Sequence, residues 1–285
     1  FAVDAIFEAA SGFTTTGATI LGDVEALSHA SMLWRCLMHW VGGMGILVFM
    51  LIVLPLAGGQ TIYLMRAESP GPSVSKISPH MRDTALILYA IYFGLTVLQI
   101  ILLLLGGMPM FDAICVSLGT AGTGGFGNWN DSIAHYDSAY LQNVISVFMI
   151  LFGINFNAYF LLLTRKFKQL FKIEEIRVYL GVIAVFTTLI AFNVRGCFGS
   201  LRESFHHSLF QVASIITTTG FSTVDFNQWP AFSKLLIVLL MFIGACAGST
   251  GGGMKCSRIL LLFKGVKKEM MSLIHPRLVR VHKMD

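Results

Sequence analysis

The sequence predicts an all-α integral membrane protein built from a repeated unit of helix, short loop and helix. Two observations carry that prediction. The first is composition: of 285 residues, 55% are hydrophobic and 12% charged, with a mean hydropathy of +0.74, whereas a soluble domain carries about 25% charged residues. The second is internal repetition. Thr14-Thr15-Thr16-Gly17 returns as Thr217-Thr218-Thr219-Gly220 and, more loosely, as Gly122-Thr123-Gly124-Gly125. A shift of 108 superposes Asp4, Ala5, Ile6 and Gly17 on Asp112, Ala113, Ile114 and Gly125; a shift of 203 superposes Phe7, Ala10, Ser11 and Gly17 on Phe210, Ala213, Ser214 and Gly220. Each copy follows an apolar segment too short to cross a bilayer and precedes a polar turn and a long apolar run. Three copies are visible, the first of them partial.

In chain order, residues 1–12 read as a short helix that enters the membrane and stops, and residues 13–21 as its loop. Residues 32–56 form the first full span, long enough for the ~20 apolar residues a membrane helix needs, ended by Pro55 and Gly58-Gly59. Within it, Gly42, Gly43 and Gly45 offer a smooth face to a neighbouring helix or loop. His39 is read as hydrogen-bonded to nearby backbone in preference to a proton site. The unit 1–56 is followed by a polar linker, 57–83, with Pro70, Pro72 and Pro79. The second unit, 84–163, holds a span (84–105), a short helix (110–118), a loop through Gly127 and a further span (140–163) in which Asn155 and Asn157 face a partner helix or a pore. A basic stretch, 164–177, leads to the third unit, 178–263: a rather short span, a short helix 206–216, the third loop, and a last span that starts at 232. His206-His207 looks like a metal pair, but adjacent residues on a helix point apart, and a helix start facing water is the expectation. Residues 264–285 form a basic segment. The chain opens at Phe1 inside a short helix and closes at Asp285 in a charged stretch, so both ends are expected to continue into flanking sequence.

A helix that stops within the bilayer leaves its last carbonyls unpaired, which is tolerated only where the backbone lines protein or a watery cavity. Glycine lets the following backbone turn, since positive φ costs it little, and the helix C-terminus aims partial negative charge at the same place. Rings of such carbonyls replace the water shell of a cation, and threonine hydroxyls add oxygens. The charge distribution points the same way. Segments 57–83, 164–177 and 255–285 hold 3, 5 and 8 Lys or Arg, sixteen of the 20, which the positive-inside rule puts in the cytoplasm. Asp4, Glu8, Asp23, Glu25, Asp112, Asp131, Asp137, Glu203 and Asp225, nine of the 15 acids, fall on the opposite, loop-bearing side, where they would concentrate cations. The net charge of +5 is thus a topology signal that calls for no nucleic-acid partner. The five cysteines, without C-x-x-C spacing, read as small packing residues.

The last span breaks at ten small residues, 244–253. Glycine costs about 1 kcal/mol relative to alanine inside a helix, so this stretch belongs inside the protein, near the pore. It is no phosphate loop: Gly253 is followed by Met254, and Lys255 by Cys256, which breaks the G-x-x-x-x-G-K-[ST] pattern. A tight helix crossing is the plain structural alternative.

The three loops, together with His39-Trp40-Val41-Gly42-Gly43-Met44-Gly45 and Gly248-Ser249-Thr250-Gly251-Gly252-Gly253-Met254-Lys255, resemble the pore module of the Trk/Ktr/HKT potassium transporter superfamily, the Trk type in particular. The resemblance covers essentially the whole chain. It implies helix–pore-loop–helix modules around a pseudo-fourfold cation pore, of which this sequence shows three; potassium uptake across a bacterial cytoplasmic membrane; and no covalently bound cofactor, with K+ as the transported ion. The filter residues it implies are Thr15, Thr16 and Gly17; Thr123, Gly124 and Gly125; and Thr218, Thr219 and Gly220, with the second loop's register open between Gly124 and Gly125. It further implies that Gly248, Ser249, Thr250, Gly251, Gly252 and Gly253 form an intramembrane gate under the filter, with Lys255 close to the pore. A homodimer and a cytoplasmic nucleotide-binding (NAD or ATP) regulatory subunit also follow from the resemblance, with the basic stretches 165–172 and 264–283 as docking surfaces. The absence of T-V-G-Y-G implies fewer carbonyl layers and looser selection of potassium over sodium. Two other classes stand beside this one: an intramembrane hydrolase, for which Ser249 and His39 are the only nucleophile and base, and a broken-helix secondary transporter for a small solute.

Overall fold

The computed structural model describes residues 2–45, 81–166, 169 and 173–274. The expected helix end at Pro55 and Gly58-Gly59, most of the linker 57–83, Lys168 and Lys172, and the tail beyond 274 lie outside those residues. Among the described residues the regular structure is α-helical: α1 (Ala2–Phe13), α2 (His29–Gly43), α3 (Met81–Leu105), α4 (Met110–Ala121), α5 (Ala139–Phe152), α6 (Phe156–Leu163), α7 (Glu174–Asn193), α8 (Leu201–Ile216), α9 (Ala231–Phe242) and α10 (Cys256–Ile274).

The helices that lead into the three repeated loops, α1, α4 and α8, are 12, 12 and 16 residues long. At 1.5 Å per residue, twelve residues reach about 18 Å, well short of a ~30 Å hydrocarbon core. α3 and α7 are long enough to cross it: Leu86–Leu105 has a mean hydropathy of 2.4 and Glu174–Cys197 one of 1.8. Much of their apolar surface is exposed. Phe93, Leu98, Ile101 and Leu105 on α3, Val185, Leu189 and Phe192 on α7, and Val238, Met241 and Phe242 on α9 all point away from the protein, an arrangement that suits lipid rather than water.

The starts of the helices follow from local sequence. Ser28 caps α2 by accepting the Ser31 N–H at 3.2 Å. Ser200 caps α8 by accepting the Glu203 N–H at 3.1 Å, the first half of an S-x-x-E capping signal. α3 ends in a Schellman motif: Met108 N–H reaches Leu103 O at 3.2 Å and Gly107 N–H reaches Leu104 O at 3.0 Å, with Gly107 at φ +84°, the glycine that such a cap prefers.

Each short helix is walled by its neighbours. α4 lies between α2, α3 and α5, with Cys115, Leu118 and Phe126 packed against Met32 and Cys36 of α2. α8 lies among α5, α7 and α9, where Val212 and Ile216 join Tyr179, Ile183, Ile190, Ile237 and Leu240. Phe210, Ala213 and Phe221 reach across to Val116 and Met149, so the second and third units share one core.

Three expected elements differ. The run 140–163 reads as a continuous span, but α5 and α6 meet at a 94° bend across Gly153, Ile154 and Asn155. The cause is tertiary. Gly153 O accepts from Cys246 N–H at 3.0 Å, and Phe156 N–H donates to Gly248 O at 2.9 Å. The second unit opens its helix to hold the broken last span of the third. Asn155 caps α6 by accepting the Asn157 N–H at 2.9 Å and stands against Gly248. The span expected to begin at 178 begins at Glu174, four residues earlier, and the third short helix starts at Leu201, so His206 and His207 lie within it rather than at its start.

Candidate pore loops

The three repeated loops share one backbone. Thr16, Gly124 and Thr219 donate five residues back, to Ser11 O (3.0 Å), Gly119 O (3.1 Å) and Ser214 O (2.9 Å); Thr15, Thr123 and Thr218 donate three back, to Gly12 O, Thr120 O and Ile215 O, at 3.0–3.1 Å. This is the Schellman geometry that ends α3, with one difference. The left-handed position, held by Gly107 after α3, is held here by threonine: φ is +54° at Thr15, +52° at Thr123 and +58° at Thr218. A β-branched residue there is a real outlier, costing roughly 1–2 kcal/mol, and it occurs at each of the three equivalent places. Two residues on, Gly17, Gly125 and Gly220 are again positive, at +74°, +79° and +86°. The second loop therefore matches the others at Gly125, not Gly124. Positive φ on either side of a residue with negative φ turns successive peptide planes the same way.

The loops meet backbone to backbone. A Cβ on Gly17 would stand 1.9 Å from Gly124 O, and one on Gly125 would stand 1.9 Å from Thr219 O. Each positive-φ glycine thus faces the carbonyl that precedes the equivalent glycine of the next loop, while Gly220 has nothing within 4 Å. The succession runs in one direction, first loop to second to third, and stops open.

What holds that backbone varies. In the first loop Thr14 Oγ1 bonds Ala10 O (2.7 Å) and Thr16 Oγ1 (2.8 Å), and Ser11 Oγ donates to Ala18 O at 2.6 Å. The third loop repeats this with Thr217, Thr219 and Ser214, the last donating to Phe221 O at 2.6 Å. The second loop has glycines at these places. His39 of α2 fills the space instead: Phe126 N–H donates to His39 Nδ1 at 3.4 Å, and the two rings stack with centroids 4.0 Å apart. A Cβ on Gly124 would stand 2.4 Å from His39 Nδ1, and one on Gly122 2.2 Å from His39 O. α2 packs by the same device, Gly42 against Phe13 O and Gly43 against the Gly122 Cα.

Residues 243–256 form a loop with a closed neck. Gly244 N–H reaches Met254 O at 2.8 Å and Cys256 N–H reaches Ala245 O at 3.1 Å. Its tip lies against two of the left-handed threonines. Thr123 Oγ1 donates to Thr250 O at 2.9 Å, and Thr218 Oγ1 accepts the Gly252 N–H at 2.7 Å. Gly251 stands beside Thr217 O. Lys255 is buried and its ammonium bonds Gly251 O. Ser249 Oγ donates to Cys246 O, away from His39, so the pair required by a hydrolase is not assembled.

On the opposite side, the exposed loops clasp one another. Asn130 accepts the Val24 N–H at 3.0 Å, donates from its side chain to Asp23 at 2.8 Å and from its backbone to Glu25 at 3.1 Å. That side-chain amide, with the Glu25 N–H, holds the Asp23 carboxyl below the usual aspartate range; the Asn227 N–H does the same for Asp225. Asp23, Glu25 and Asp225 are thus engaged internally, and two more of the nine acids on this side join them. Glu8 is tied to Arg35, Thr19 and Ile20, and Asp112 to Asn128 and Tyr136. His206 binds Gln142 and Asn143 while His207 binds Thr223, different partners as expected of adjacent helical residues. No group of His, Cys, Asp and Glu with metal-binding geometry occurs among the described residues.

The backbone hydrogen bond expected of His39 is present, from Phe126 N–H, but sequence reasoning missed its packing against the second loop, the threonine caps, the α5–α6 bend and the outer clasps. Ser11 and Ser214 carried a visible signal, since the shift of 203 superposes them.

The chain matches the TrkH family profile, described as a cation transport protein, over residues 1–285. It is 41% identical over 281 residues to the Trk system potassium uptake protein TrkH of Escherichia coli K12, a match covering 97% of this chain and 58% of that protein. It is 38% identical to TrkG of the same organism, over 96% of this chain and 57% of the relative. The crystal structure of the potassium transporter TrkH from Vibrio parahaemolyticus superposes with a TM-score of 0.84 at 33% identity, covering 100% of this chain and 58% of that one. The chain thus spans a little under three fifths of the length of these relatives. It is a multi-pass, all-helical membrane protein, and it belongs to the TrkH family of cation transport proteins.

Proposed function

We propose that the chain forms three modules of a potassium uptake pore in the cytoplasmic membrane, the ion passing between the three repeated loops. The modules are 1–56, 84–163 and 178–263, joined by cytoplasmic segments 57–83 and 164–177, with 264–285 leading to a fourth unit that faces Gly220. One observation carries this reading: Gly17 abuts Gly124 O, Gly125 abuts Thr219 O, and Gly220 is open, so backbone oxygen rather than side chain occupies the narrow level between loops. Carbonyls and hydroxyls of Thr15, Thr16, Thr123, Gly124, Thr218 and Thr219 then take the place of a potassium ion's water. Translocation needs no bond-making step. The names of the relatives support potassium as the cargo.

In this reading Gly248, Ser249, Thr250, Gly251, Gly252 and Gly253 are the gate. Their contact with Thr123 and Thr218 at the base of the filter supports it. A homodimer and a nucleotide-binding regulatory subunit, docked on the basic cytoplasmic stretches, complete the assembly. The test is rubidium uptake by cells deficient in potassium transport that express the full-length protein, beside the Gly220→Asp variant at equal membrane expression. Uptake by the parent and none by the variant is the expected result; equal uptake by both contradicts a path through the loops.

A further inference from the structure

The neck of the loop 243–256 is bridged by a side chain from another helix. Glu175 lies in the first turn of α7 and is buried. One of its oxygens, Oε1, accepts two backbone N–H groups: Ala247 at 2.7 Å and Ser257 at 3.0 Å. These stand on opposite arms of the loop, Ala247 just before the glycine-rich tip and Ser257 in the first turn of α10. The Ser257 N–H is one of the donors left unpaired at any helix start, where partial positive charge gathers. A charged acceptor there makes short, strong bonds, and among the described residues no other side chain from outside the loop bonds both arms. The preceding residue, Glu174, pairs with Lys264 two turns along α10. The start of α7 thus grips α10 twice. It lies at the end of the basic stretch 164–177, read above as cytoplasmic.

We infer that Glu175 is a positioning residue for the gate: its carboxylate sets the separation of the loop's two arms and passes movement of the α7 start, and so of the cytoplasmic stretch before it, to the loop tip under the filter. This rests on the reading of 248–253 as the gate. The path is continuous in hydrogen bonds, from Glu175 to Ala247 and Ser257, through the closed neck, to Thr250 O on Thr123 and Gly252 N–H on Thr218. Removing the carboxylate leaves two buried donors unpaired. The arms then hold each other only through the neck bonds, and the tip is freed from α7. The hydrogen bonds of Glu175 go to Ala247 and Ser257 and to no filter residue, so ion selection is untouched while the flux through the resting pore changes.

The experiment uses the full-length protein in proteoliposomes and measures rubidium flux and the rubidium-to-sodium flux ratio. Four proteins are compared with the parent: Glu175→Ala, Glu175→Gln, Glu175→Asp and the double variant Gly251→Ala/Gly252→Ala. The expected result is a rise in flux of at least fivefold for Glu175→Ala, with the ion ratio within twofold of the parent. Glu175→Gln, whose amide oxygen still accepts both N–H groups, returns the flux to within twofold. Glu175→Asp, one methylene shorter, behaves like the alanine variant and supplies the comparison should alanine prevent recovery of folded protein. Flux within twofold of the parent for Glu175→Ala and Glu175→Asp, while the double glycine variant changes it, overturns the role of Glu175 and leaves the gate standing. No change in any variant removes the gate itself, and the inference with it. A changed ion ratio in Glu175→Ala also contradicts the inference, because it makes the residue part of the filter's support.

Discussion

The second and third repeated loops reach the same backbone from different sequences. The third, Thr217-Thr218-Thr219-Gly220, holds itself: Thr217 and Thr219 bond each other, and Ser214 pins the Phe221 carbonyl. The second, Gly122-Thr123-Gly124-Gly125, has neither hydroxyl pair nor serine. At the place of Ser214 it carries Gly119, whose absent Cβ leaves room for Phe126 O at 2.7 Å, and its support comes from His39 and Arg35 of α2, the latter lying 4.1 Å from the Phe126 ring centroid. The conserved object is the conformation, positive φ at a threonine and again two residues later, and the chain meets its cost by whatever neighbours are available. Only the threonine at the left-handed position and the glycine after the turn are common to all three loops.

Giving the second loop the third loop's chemistry is the harshest way to break this account. Gly124→Thr places a Cβ 2.4 Å from His39 Nδ1, and overpacking of this kind costs roughly 1–3 kcal/mol. Thermal unfolding in detergent and rubidium flux should both fall. His39→Ala combined with Gly124→Thr should recover part of the loss, with a coupling of about 1 kcal/mol or more; additive losses would mean the two side chains do not compete for one space.

Replacing the strained residue separates stability from function. Thr218→Gly relieves about 1–2 kcal/mol of left-handed strain, so the protein should unfold at a higher temperature. It loses the hydroxyl that accepts the Gly252 N–H, so flux through the resting pore should change severalfold. A variant that is both less stable and normally gated would show that the threonine's conformation is not strained.

A smaller effect tests the pins. Ser214→Ala removes one buried hydrogen bond and should cost about 1 kcal/mol, while Gly119→Ala at the equivalent position should cost more, because alanine meets a carbonyl there instead of leaving one unpaired. Reversal of that order in denaturation measurements would contradict the assigned supports.

The weakest effect lies in the outer clasp. Asp23 is fully exposed and its carboxyl is held below its ordinary value of 3.8. A depressed group contributes above its unfolded pKa and loses that contribution as pH falls through the folded value, so the clasp to Asn130 should be intact at neutral pH and fail only below about pH 4. Asp23→Asn should flatten the acid limb of the thermal stability profile; an unchanged limb would remove the clasp from the account.

How much of this was legible in sequence depends on whether the signal was local. The three loops were legible because Thr-Thr-Thr-Gly repeats and its flanks align, and the break at 244–253 because ten small residues cannot make a lipid-facing helix. The register of the second loop was not legible, since Gly124 and Gly125 are chemically alike and only φ separates them. The α5–α6 bend was hidden for a different reason. Residues 152–155 lie in an apolar run with one glycine, and the bend exists because Cys246 and Gly248, some ninety residues away, take their hydrogen bonds there. Glu175 is one of two acids in a basic stretch, and nothing near it in sequence marks it as the acceptor for two distant amides.

The most direct test of the central claim is to locate the ion. Crystals of the full-length protein grown in rubidium should show anomalous scattering on the pore axis, within direct coordination distance of the carbonyl oxygens of Thr16, Gly124 and Thr219. A peak elsewhere in the molecule, with none between the three loops, would contradict the account.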